Sequence, residues 1–151
     1  METTVSWSGP TSEEGSSGMS FIARTGSGHR VAMDGAPADD GGPLGGRNLG
    51  PRPMELVLAG TGGCTAYDVV LILRRGRHSV TRCDVTLKAE RAPSDPKVFT
   101  SIHFHFIVAG TALKREVVER AIRLSHEKFC SASVMLAKTA ALTHSFEIRE
   151  A

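Results

Sequence analysis

A chain of 151 residues, 40% hydrophobic and 23% charged, is sized for one domain that buries about two-thirds of the surface its unfolded form exposes, with no need of metal or disulfide staples. Its formal net charge of +2 is spread along the sequence without a block of like charge, which argues against a nucleic acid or an anionic membrane as partner. The opening Met1-Glu-Thr-Thr-Val-Ser-Trp lacks the basic and apolar regions of a secretory leader, and the cysteines at 64, 83 and 130 are odd in number and widely spaced. The expectation is a cytoplasmic protein whose thiols are buried, catalytic or redox-active.

Val5 and Trp7 suggest a first strand, and Ser8 to Gly18 reads as a polar loop. Met19 to Ala23 and Arg30 to Met33 predict two strands of a small antiparallel sheet, joined by the turn chemistry of Thr25-Gly-Ser-Gly. Residues 1–34 are thus the N-terminal strands, and 35–52, rich in glycine and proline and poor in hydrophobes, a long connecting loop. Pro53 suits the first turn of a helix and Glu55 its positive end, so a helix is predicted from Pro53 to Arg75, stopping at Gly76. Its apolar residues leave little polar face, which predicts burial nearly all round. Glu55 and Asp68 interrupt it too early for the ~20 apolar residues of a membrane span.

Val80 to Arg91 and Val98 to Val108, separated by Ala92-Pro-Ser-Asp-Pro-Lys, predict a long hairpin. Thr111 resembles an N-cap for a helix through Lys128, followed by a shorter helix from about Ser131 to Ala141 and a strand from Thr143 to Arg149. The body, 53–151, therefore runs helix, hairpin, two helices and strand. The fold class is α+β, with a mainly antiparallel sheet, in a single domain over residues 1–151.

The residues with chemical potential are few. Cys64 follows Gly62 and Gly63 in the apolar helix, either as a thiol in a tight pocket or as an inert core cysteine against a small-residue contact. Cys130 lies near a helix start, where free N–H groups favour a thiolate. Cys83, in the inward row of a strand, reads as structural. Asp68 shares the helix face of Cys64, where its charge would raise the thiol pKa. Glu55, nine residues before Cys64, is offset from it by about 180° on a helix, and can be read equally as a first-turn charge. His103 and His105 alternate on one strand face; no Cys or carboxylate at ligand spacing accompanies them, which favours a hydrogen-bonded sheet face over a metal site. His29, His126 and His144 carry no local signal.

Pro53-Met-Glu-Leu, Gly62-Gly-Cys-Thr-Ala-Tyr-Asp-Val-Val and Lys128-Phe-Cys-Ser together resemble the OsmC/Ohr family, within it the YhfA-like branch. The resemblance extends through Ser27-Gly-His-Arg-Val-Ala-Met-Asp-Gly, His103-Phe-His-Phe-Ile-Val and Thr143-His-Ser-Phe-Glu. It implies an intertwined homodimer built around a long buried central helix, with Cys64 as peroxidatic and Cys130 as resolving thiol. The implied activity is reduction of small hydrophobic organic hydroperoxides in oxidative-stress defence. Recycling would come from a dithiol or lipoylated-protein reductant, with no metal, haem or flavin. The family's acidic residue directly after a proline falls at Met54 here, with Glu55 one place further on, so Glu55 joins the cysteines as a candidate catalytic residue. Arg24, Arg30 and Arg52 are the candidates for its arginine partner. The alternative is a protein of the same fold that binds a hydrophobic acyl ligand, without peroxidase activity.

Overall fold

Six strands form two three-stranded sheets in the computed structural model, which describes residues 1–9, 18–39 and 44–151. The chain divides into two compact units, Met1–Val57 and Leu58–Ala151. In the first, β1 (Thr3–Trp7), β2 (Ser20–Thr25) and β3 (Arg30–Asp34) form an antiparallel sheet in that order. The β2–β3 turn closes where the Thr25 N–H donates to the His29 carbonyl at 2.9 Å, with Gly28 at a φ of +85° that a side chain would resist. The expected loop from Ser8 to Gly18 falls largely on 10–17, outside the described residues.

The segment 35–52 contains no helix or strand among its described residues, as its composition predicts. Its order comes from Asp34, whose buried carboxylate accepts from the backbone N–H groups of Gly35 (2.8 Å), Arg47 (3.0 Å) and Leu49 (2.9 Å). Burial alone would raise the pKa of Asp34, but these donors favour the anion and the net shift is downward.

In the second unit, β5 (Phe99–Thr111) is central, antiparallel to β4 (Ser79–Arg91) and parallel to β6 (Ala141–Glu150). Strict alternation along β5 sends Ile102, Phe104, Phe106 and Val108 into the core, all without exposure. His103 and His105 point the other way. On that face His103 bonds the hydroxyls of Thr143 (2.8 Å) and Ser145 (2.9 Å), while His105 bonds Ser145 (2.8 Å) and reaches Glu147 (3.4 Å). The histidine pair is thus a cross-strand hydrogen-bond ladder.

Three helix boundaries differ from the sequence reading. Thr111 does not cap a helix, because β5 stays paired to its end, with Ser79 opposite Thr111 and Glu150 beside Gly110. Helix α2 (Arg115–Leu124) starts instead after Lys114, which is extended and makes no side-chain cap. The helix predicted through Lys128 then widens into a π-helical turn over Ser125–Phe129, and α3 (Ser131–Leu136) stops short of Ala141, which opens β6.

Helix α1 (Pro53–Arg75) has the predicted limits, but the single chain covers one stripe rather than its whole circumference. Thr61, Gly62, Thr65, Val69 and Leu73 are buried at helical spacing. Gly63, Ala66, Tyr67, Val70, Leu71 and Arg74 line an open groove of about 480 Å³, with Tyr67 68% exposed.

The π-helical turn lays the half-buried His126 ring against the core. Its ring meets Phe104 edge-on at 4.6 Å and Phe106 at 6.0 Å, and stacks on His144 at 5.5 Å, while neither ring nitrogen has a hydrogen-bond partner. Burial, reinforced by His144, lowers its pKa from 6.5 to about 4. The neutral ring is the form that fits. Its contribution is therefore complete above pH 6.5 and is lost as pH falls from there towards 4, a window above the one in which Asp34 protonates. Thermal unfolding followed by circular dichroism should give a lower midpoint at pH 5 than at pH 7, and His126→Phe should flatten that difference.

Candidate functional site

Three elements of the second unit converge on Cys64: the middle of α1, the π-helical turn and the start of α3. Gly62, on the buried stripe of α1, lets the helix come close to β4; a Cβ there would lie 2.7 Å from the Leu87 Cδ1. Gly63 has nothing within 4 Å of a built Cβ and belongs to the open groove. Of the two glycines that mark Cys64 in the sequence, one thus serves a close approach and the other borders open space.

One turn along α1, Thr65 and Asp68 meet Ser125. The Ser125 hydroxyl lies 2.8 Å from the Thr65 Oγ1 and donates to the Asp68 Oδ2 at 3.1 Å. Thr65 and Ser125 are fully buried, so this bond satisfies two hydroxyls that would otherwise cost ~1–3 kcal/mol each. The Ser125 carbonyl in turn accepts the N–H of Cys130 at 2.8 Å, which closes the wide turn. Cys130 is fully buried and caps α3, its Sγ accepting from the N–H (3.4 Å) and hydroxyl (3.3 Å) of Ser133.

These contacts place both candidate thiols together. Donor atoms of Cys64, Asp68 and Cys130 all lie within 4.8 Å of one another, with Cys130 buried and the other two half-buried. A disulfide between the two sulfurs would require them to close from this separation to ~2.05 Å. The same three residues are a donor set that could hold a metal ion.

The acid in this cluster is Asp68. Glu55 is engaged in the first turn of α1, where its Oε2 accepts the Arg52 N–H at 3.0 Å, the back-bond of a helix N-terminus. Arg24, Arg30 and Arg52 are all exposed, Arg24 and Arg30 directly opposite each other across β2 and β3. Cys83 pairs opposite Val108, its thiol pushed up to about 11, first by burial and then by Asp84. Both effects work against a thiolate at Cys83.

The electrostatics at Cys64 oppose ionisation. Burial raises its pKa, as do the Cys130 thiol and the charge of Asp68, while the Ala132 N–H, directed at the sulfur, pulls the other way. Sequence reasoning found the two thiols and Asp68 but missed Ser125, Thr65 and Ser133, whose roles arise only from contacts across the fold. Asp68→Asn should lower the thiol pKa of Cys64 and speed its alkylation by iodoacetamide several-fold at neutral pH, read from the pH profile of the alkylation rate.

A family model described as OsmC-like protein matches residues 45–145. Protein YhfA of Escherichia coli (strain K12) is 45% identical over 131 residues, 87% of this chain and 91% of YhfA. A solved structural-genomics structure is 41% identical, with a TM-score of 0.82 and full coverage of both chains. An organic hydroperoxide resistance protein of Legionella pneumophila shares the fold at 18% identity, with a TM-score of 0.65 and 97% of each chain covered. With its α+β fold, its long helix and these relatives, the chain belongs to the OsmC family.

Proposed function

We propose that this protein is a thiol-dependent peroxidase that reduces organic hydroperoxides with Cys64 as attacking and Cys130 as resolving thiol. The observation that carries the reading is the pairing of a half-buried thiol, open to substrate, with a fully buried thiol behind it. The Cys64 thiolate attacks the distal peroxide oxygen; the O–O bond breaks, and the alkoxide takes a proton and leaves as an alcohol. The resulting Cys64 sulfenic acid is attacked by the Cys130 sulfur, a disulfide forms and water departs. A dithiol or lipoylated protein then returns both cysteines to thiols by exchange.

The functional unit in this reading is a homodimer. The open groove on α1 is apolar apart from Arg74, and β1 is exposed along its length with Val5 and Trp7 on its surface. A second copy is the partner that would cover such surfaces. The cation that the raised thiol pKa of Cys64 calls for would come from Arg24, Arg30 or Arg52. Glu55 would orient that arginine in addition to its capping bond.

Purified protein supplied with a dithiol should consume an organic hydroperoxide. Cys64→Ser should abolish turnover, and activity that survives it would sink the assignment. Cys130→Ser should still consume one equivalent and accumulate a sulfenic acid at Cys64, detected by mass after dimedone trapping. For the assembly, light scattering should give twice the chain mass, and Tyr67→Asp should shift it towards the monomer.

A further inference from the structure

The mechanism leaves the placement of Asp68 unexplained. Its charge disfavours a thiolate at Cys64, yet the fold fixes it there through the buried Ser125 hydroxyl. Two sulfurs and a carboxylate oxygen within 4.8 Å of one another match a different task. In a tetrahedral zinc site, bonds of ~2.3 Å to sulfur and ~2.0–2.2 Å to oxygen put the donors about 3.6–3.8 Å apart. From the present arrangement that is a contraction of at most about an ångström.

We propose that the reduced cluster of Cys64, Asp68 and Cys130 binds Zn²⁺ through two thiolates and one carboxylate, with water in the fourth position, so that zinc and peroxide compete for Cys64. Binding displaces one proton from each thiol to solvent and forms two Zn–S bonds and one Zn–O bond. Each ligand already has the outer hydrogen bond that orients donors in metal sites: Ser125 on Asp68, Ser133 on Cys130, and the Ala132 N–H on Cys64. Three anions so close repel one another unless a cation lies between them. Half-burial of Cys64 and Asp68 leaves the ion an entry, while buried Cys130 closes the far side. The site requires both cysteines as thiols but not turnover, so it stands independently of the peroxidase reading.

The test uses full-length, tag-free protein, reduced and then freed of reductant, titrated with Co²⁺ as a spectroscopic probe and then with Zn²⁺. The expected result is one ion per chain, a thiolate-to-cobalt charge-transfer band, and loss of that band on zinc addition. Protein oxidised to the Cys64–Cys130 disulfide should show no band. Cys64→Ser and Cys130→Ser should each remove about half of its intensity or more, Asp68→Asn should keep it with affinity lowered ten-fold or more, and Cys83→Ser should change nothing. Absence of the band in reduced wild-type protein, its survival in Cys64→Ser at full strength, or unchanged affinity in Asp68→Asn would overturn the site. Peroxide consumption assayed with excess chelator separates the two readings. Turnover without a cobalt–thiolate band removes only the zinc site, and the band without turnover removes only the peroxidase.

Discussion

The packing of a neutral imidazole against two phenylalanine rings anchors the turn that leads to the candidate site. Alternation along β5 delivers Phe104 and Phe106 to the same face, and His126 packs edge-on against them with both nitrogens dry. That ring fixes the π-helical turn that carries it. The turn in turn directs Ser125 towards Thr65 and Asp68 and delivers Cys130 to α3. A sheet-core contact thus bears on where the second thiol stands, through the turn that leads into α3.

Features encoded within a few neighbouring residues were legible in the sequence. Pro53 and Gly76 bracket α1, Thr25-Gly-Ser-Gly turns β2 into β3, and Ala92-Pro-Ser-Asp-Pro-Lys links two strands whose alternation is plain. Features that depend on distant partners were not. Nothing beside Thr111 reveals that Ser79 pairs with it in a strand, and β6 runs parallel to β5 through pairings some forty residues apart. Ser125-His-Glu-Lys-Phe reads as ordinary helix until Phe104 is beneath it. Asp34 carried no signal in the sequence, yet it gathers the amides of Gly35, Arg47 and Leu49 from a loop poor in hydrophobes.

The site shows the same division. Cys64 and Cys130 were visible as two placed thiols through their family resemblance, and Asp68 through its spacing of four residues. Their environment was not visible, because burial, the Ser125 bond and the amide of Ala132 all belong to tertiary structure. An anion beside a half-buried thiol disfavours its ionisation, and in this cluster the Ser125 hydroxyl holds that anion in place. Such arrangements persist when the surrounding fold over-determines them, and they concentrate at sites selected for chemistry.

The wide turn at Ser125–Phe129 makes the position of Cys130 a matter of residue count. Its closing bond spans five residues, from the Cys130 N–H to the Ser125 carbonyl, where an α-helix would span four. Losing one residue between them would let the segment relax to regular helix. Everything downstream would then rotate by about 100° and shift by ~1.5 Å along the axis. Composition, hydropathy and both cysteines would be almost untouched, yet the buried sulfur would no longer face Cys64. A length change of one residue in this stretch is thus a more drastic alteration to the thiol pair than most substitutions in the groups that surround it.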